Sequence, residues 1–148
     1  MLTWTTYGTW LQGDLRGWVK NGKIKDSNDT LEKVNHENLK REPVYLELGQ
    51  RKTVLNAIIE KSVQLNQKIF ALSVCRNHVH IVAECNKIEI GKVVSYYKNA
   101  GKFALKKDGF IGNLWTTGYD KRYLDTEAQV NEKIDYVFGH SNGEVYLS

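Results

Sequence analysis

The chain alternates short apolar runs with longer stretches whose apolar positions recur at helical spacing, and this alternation predicts seven elements. Met1 to Trp10 is dense in Thr, Trp and Tyr, which suit strands, and is stopped by Gly8 and Gly13. From Leu11 to about Gly49 the pattern dissolves into a long polar connection that contains the only proline, Pro43. It has room for a short helix from about Asp29 to Lys40. Connections beyond ~12–15 residues are uncommon and usually functional or mobile. Gln50 to Gln67 predicts a helix through Val54, Leu55, Ile58, Ile59 and Val63, with Leu65 near the same side. Lys68–Cys75 and Asn77–Cys85 predict two strands joined by a turn at Arg76-Asn77.

Glu89 to Lys107 predicts a second helix, with Val93, Val94, Tyr97, Ala100, Phe103 and Ala104 on its apolar side. After a turn at Gly109–Asn113, strand character resumes over Leu114–Asp125, with a kink at Gly118. Asp125 or Thr126 then caps a last helix whose first turn holds Glu127. Val130, Ile134, Val137 and Phe138 mark its buried side, and Tyr136 lies off that stripe. His140 falls one turn beyond Tyr136 if the helix survives Gly139, and Ser141–Glu144 ends it. The order strand, helix, strand, strand, helix, strand, helix fits an α+β protein. Its expected form is a ferredoxin-like split βαβ-βαβ antiparallel sheet of four strands with helices on one face, and an extra C-terminal helix that carries Tyr136.

The third strand carries the most distinctive chemistry. In Asn77-His78-Val79-His80-Ile81-Val82, strand alternation turns His78, His80, Val82 and Glu84 to one face. Val79, Ile81, Ala83 and Cys85 take the other, which suits a core. Two neutral imidazoles a strand repeat apart are well placed to hold a divalent metal. The plain alternative is a pair of solvated histidines on an outer sheet face. On the second helix Lys98, Lys102 and Lys106 share a face, which suits either a solvated surface or a ridge that follows phosphates.

Composition adds boundaries. At 148 residues the chain is expected to form a single domain, 1–148, around one core. No apolar run approaches the ~18–20 residues of a membrane helix, and the start lacks the pattern of a signal peptide. A cytoplasmic location is the default expectation, and two cysteines that flank the histidine strand from opposite ends, Cys75 and Cys85, are expected to be reduced. The net charge of +4 favours a polyanionic partner.

The segment Asn77–Val82, followed downstream by Leu114-Trp115-Thr116-Thr117-Gly118-Tyr119 and then by a helix with Tyr136 and a polar residue four later, resembles the HUH single-tyrosine transposases. These are the small single-strand DNA transposases and their REP-associated relatives. The opening Thr5–Gly17 looks like the start of one transposase-like branch, and agreement in order and spacing runs from Trp4 to about His140. The resemblance implies a ferredoxin-like endonuclease and strand transferase that acts on single-stranded or hairpin DNA. It implies that His78, His80 and His140 hold Mg2+ or Mn2+, with His140 standing where the family commonly has Gln or Asn. An imidazole there shifts preference towards Mn2+ or softer ions. Tyr136 would be the nucleophile that holds the strand as a 5′-phosphotyrosine. With a reference pKa near 10, it would need a metal or a basic residue close by.

Lys98, Lys102, Lys106, Arg16 and Trp115 are the candidate DNA contacts. Trp4, Trp10 and Trp115 suit either a core or stacking on unpaired bases. Tyr96 and Tyr97 rank behind Tyr136, because only Tyr136 has a potential ligand one turn on. Tyr119 and Tyr123 are expected to be structural, His36 solvated, Glu84 a weak further ligand, and Asn77 a turn former. Two alternatives stay open: a catalytically inactive, domesticated nucleic-acid-binding module of the same fold, and a metal or small-ligand protein with no nucleic acid. Monomer and homodimer are also both open.

Overall fold

A computed structural model describes residues 1–9, 18–20, 23–25, 41–139 and 143–147. Among them the protein is α+β, with three helices and a five-stranded antiparallel sheet. The strands of that sheet are β1 (Leu2–Thr5), β4 (Ile69–Val74), β5 (His78–Ala83), β6 (Asp120–Lys121) and β7 (Glu144–Leu147). They lie in the order β6-β1-β5-β4-β7. The helices are α1 (Leu48–Gln64), α2 (Ile90–Lys107) and α3 (Glu127–Phe138). A separate hairpin pairs β2 (Trp18–Lys20) with β3 (Lys23–Lys25) inside the stretch expected to be an irregular connection.

Both β1 and β4 run antiparallel to β5, so they are parallel to each other, with α1 in the connection between them. In the same way β5 and β6 flank β1, with α2 in between. This is compatible with the ferredoxin-like arrangement expected from the sequence.

Two apolar layers sandwich the sheet. On one face Leu2, Trp4, Val79 and Ile81 pack with Val54 and Ile58 of α1 and with Val93, Val94, Tyr97 and Leu105 of α2. Each such side chain removed from water contributes roughly 1.5–3 kcal/mol. On the other face Ala71 and Val82 pack under Val137 of α3, with Phe70, Val130 and Ile134 beside them. A register shift between Ile69 and Ala71 lets Phe70 and Ala71 both join this second layer. The third helix therefore covers the face opposite α1 and α2, which is the face shared by His78, His80 and Val82.

Several boundaries differ from the sequence expectation, each for a local reason. The first strand ends at Thr5 rather than Trp10, because Thr6 donates its hydroxyl to Val44 O (2.6 Å) and Thr9 N–H turns back to Thr6 O. Helix α1 starts at Leu48, two residues early, on a capping box between Glu47 and Gln50. Leu114–Asp125 is no continuous strand: Trp115 makes an isolated bridge to Thr6, and Gly118 at φ +90° breaks the extended backbone before the two residues of β6. Val63 and Phe103 are 75% and 58% exposed, since they lie about 140° and 120° round their helices from Ile58 and Tyr97. Phe138 is also exposed.

Thr126 is the cap of α3, its Oγ1 accepting from Gln129 N–H while Gln129 Oε1 accepts from Asp125 N–H. Beyond α3 the chain returns as β7 along the edge of β4, where no strand was expected. The expected helix at Asp29–Lys40 lies outside the described residues.

Gly143, leading into β7, presses on the sheet. A Cβ there would collide with Ser73 Oγ and lie 3.0 Å from Cys75 Sγ. Gly143→Ala should therefore destabilise the fold by about 1–3 kcal/mol, the usual cost of overpacking. Urea denaturation checks this, and an unchanged midpoint would contradict it.

Candidate active site

β5 is strand because its β-branched residues suit a pleated, buried surface, and its central position gives it neighbours on both sides. His80 is the register partner of Thr3 on β1 and of Ser73 on β4, so these three side chains share one face. Thr5 stands opposite His78. The two imidazole rings have centroids 4.6 Å apart at an interplanar angle of 67°. His80 Nδ1 lies 2.8 Å from Thr3 Oγ1, and His78 Nδ1 lies 2.8 Å from Asn77 Oδ1.

Tyr136 reaches this pair from above. Its ring centroid is 5.5 Å from that of His80, edge to face. The placement follows from the neighbouring residue, because Val137 is fully buried against Ala71 and Val82 and Tyr136 sits one step round the helix. His80 is only 6% exposed under this cover, whereas Tyr136 keeps 46% of its surface open. The phenol is accessible to a large substrate and the imidazole beneath it is shielded. Lys133, one turn earlier on α3, holds its ammonium 5.8 Å from the Tyr136 ring centroid and 2.7 Å from Glu132 Oε1.

The described residues thus bring together three of the four residues expected for catalysis and metal binding, His78, His80 and Tyr136. The fourth, His140, lies outside the described residues, as do Arg16, Trp10 and His36. Among the described residues no group of three or more His, Cys, Asp or Glu side chains is placed to hold a metal ion. Two imidazoles are the donor set that these residues supply, and nitrogen donors of this kind suit a divalent first-row ion.

The lysine ridge is on the other side of the molecule. Lys98 donates from Nζ to the carbonyl oxygens of Thr116 and Gly118, and burial lowers its pKa from the ordinary lysine value. Its ammonium clamps the segment that leads into β6. Lys102 is half-buried and Lys106 exposed. Trp115 meets Trp4 edge to face at 6.1 Å and donates from Nε1 to Lys98 O, so it packs against the core.

Tyr97 is fully buried and donates to Gln67 Oε1, with its phenol pushed up by burial. Glu84 accepts from Lys68 N–H at 3.0 Å. Cys75 is buried and its thiol is raised by that burial, Cys85 is exposed, and neither is in a disulfide.

Two features escaped the sequence. Thr3 belongs to the site, and its only signal was the polar phase of a strand that reads Leu-Thr-Trp-Thr. A cavity of about 730 Å3 also opens past the end of β5, lined in part by Phe70, Val82, Tyr119, Lys121, Tyr123 and Val130. Tyr119 and Tyr123, expected to be structural, are 38% and 61% exposed there. No helix among the described residues is long and apolar enough to cross a membrane. No protein-family model and no curated protein matches the chain.

Lys98→Ala should cost about 1–3 kcal/mol of stability by leaving two carbonyls without their charged donor. Lys106→Ala should stay within about 0.5 kcal/mol of the parent. Thermal or urea unfolding separates the two, and equal effects would contradict the assigned roles.

Proposed function

We propose that this chain is a metal-dependent single-stranded DNA endonuclease and strand transferase of the HUH single-tyrosine type, on a ferredoxin-like sheet, acting at hairpin DNA. The observation that carries the reading is the approach of the Tyr136 ring to within 5.5 Å of His80, on the sheet face that also presents His78. These residues come from two elements that could have packed on opposite faces. The strand order β6-β1-β5-β4, with a helix in each crossover, supports the ferredoxin-like assignment.

In the proposed reaction Tyr136 Oη attacks the scissile phosphorus, the bond from phosphorus to the 3′-oxygen breaks, and that oxygen leaves as a 3′-hydroxyl. The phenol proton passes to solvent and the leaving oxygen takes one up. The product is a 5′-phosphotyrosine, which keeps the ester bond so that another 3′-hydroxyl can reverse the step without ATP. His78 and His80 would hold Mg2+ or Mn2+, with His140 as the expected third ligand. The bound ion would supply charge neutralisation on the phosphate oxygens. Lys133, ion-paired with Glu132, lies beside the Tyr136 ring. The open face of Tyr136 admits a DNA strand, while the cover over His80 keeps water from the imidazole.

The cavity lies further along the same elements, lined by Val82 of β5 and Val130 of α3. Its exposed tyrosines and Lys121, which sits 5.6 Å from the Tyr123 ring centroid, suit an unpaired base and its phosphate.

Incubation with a library of single-stranded hairpins and Mn2+ should yield a covalent adduct on a denaturing gel. Tyr136→Phe should abolish the adduct and leave hairpin affinity within about twofold, because the hydroxyl is used in chemistry rather than binding. An adduct from Tyr136→Phe would refute the nucleophile. Hairpin binding by the parent chain with no cleavage and no bound metal by elemental analysis would favour the inactive module instead. Tyr123→Ala should weaken single-strand binding by about 1–3 kcal/mol, the worth of one stacked base. Filter binding at low salt measures this, and unchanged affinity would remove the cavity from the DNA path.

A further inference from the structure

His78 and His80 arise from the same strand, yet their Nδ1 atoms are met by oxygens of quite different origin. For His80 the partner is Thr3 Oγ1, delivered by the neighbouring strand β1 at the directly opposed register position. For His78 it is Asn77 Oδ1, delivered by the residue just before the strand. Both separations are 2.8 Å, so both are full hydrogen bonds. An imidazole coordinates through a ring lone pair, and the ring atom that bears it is fixed by the bond the other nitrogen makes.

We propose that Thr3 and Asn77 are positioning residues that lock His80 and His78 into the Nδ1–H tautomer and so define Nε2 of each ring as the coordinating atom. This rests on the metal-dependent reading of the site. For His78 the direction of the bond is dictated, because an amide carbonyl oxygen only accepts and the Nδ1 it meets has to carry the hydrogen. For His80 the threonine hydroxyl could serve in either sense. The metal-dependent reading sets the direction: an ion held by both rings needs a lone pair from each, and the opposite tautomer at His80 would aim an N–H at that ion. Burial adds weight, since His80 is 6% exposed and bulk water does not set its tautomer. The Thr3 backbone is anchored between two paired strands, with β5 on one side and β6 on the other. The threonine is therefore held in place before any ion arrives.

The test uses the metal-free full chain labelled with 15N in its histidines, above the imidazole titration range, with long-range proton–nitrogen correlation to read each tautomer. The parent protein should show Nδ1–H at both His78 and His80. Thr3→Val, which keeps the shape and removes the hydroxyl, should release His80 from that tautomer and weaken Mn2+ binding roughly 10–100-fold by calorimetry. Thr3→Ser should restore both. Asn77→Ala should act in the same way on His78 alone. An Nε2–H tautomer at His80 in the parent, or a Thr3→Val protein with tautomer and Mn2+ affinity unchanged, would overturn the proposal. Should the parent bind no Mn2+ while its His80 tautomer still depends on Thr3, the nuclease reading falls and the positioning role of Thr3 stands.

Discussion

His80 is held between two elements that the chain brings in from far apart. Thr3 meets it on the same sheet face, at 2.8 Å, and Tyr136 covers it from the helix above, ring to ring at 5.5 Å. Everything proposed for the site depends on that grip. It requires β1 to pair with β5 in a register that sets Thr3 opposite His80, since a slip of one residue would turn Thr3 to the other face. It also requires α3 to choose the histidine face. The other face is already filled by α1 and α2 against Trp4, Val79 and Ile81, which leaves a single apolar surface for Val137, Ile134 and Val130.

The two faces divide the labour. The layer under α1 and α2 contains the large fully buried side chains, including Trp4, Tyr97, Ile58, Leu72 and Ile81, and supplies most of the stabilisation. The layer under α3 is thin, and Val137 is the one residue of that helix that is fully buried. Its seat is reinforced from both ends, by the Thr126–Gln129 cap at the start and by β7 pairing with β4 after it. An element anchored by few contacts carries a phenol with nearly half its surface open, while a densely packed sheet holds the imidazoles beneath it.

Much of this was legible in the sequence, and the parts that were not share a cause. Alternation on Asn77–Cys85 put Val79 and Ile81 in the core and turned His78 and His80 together, because a period of two is a purely local property. The spacing of Val130, Ile134 and Val137 marked the buried stripe of α3 in the same way. What escaped needed knowledge of neighbours. Thr3 is an ordinary strand threonine until the register with β5 is known. Lys98 looks like one of three equivalent lysines until Thr116 and Gly118 turn their carbonyls towards it. The strand at Glu144–Leu147 is only four residues long and follows a helix end, so its pairing with β4 leaves little local trace. Leu114–Asp125 failed as a continuous strand because the expected kink at Gly118 is a left-handed backbone that ends the extended run outright.

The central claim is that the phenol of α3, set beside the imidazoles of β5, forms a covalent bond with DNA. Mass spectrometry of the adduct formed with a short hairpin oligonucleotide and Mn2+ tests it most directly, after digestion and fragmentation of the peptide that follows Lys133. A nucleotide-bearing phosphate on Tyr136 is the predicted result. The same mass on Tyr146 or any other tyrosine, or its absence from every peptide of a chain that binds the hairpin, would contradict it.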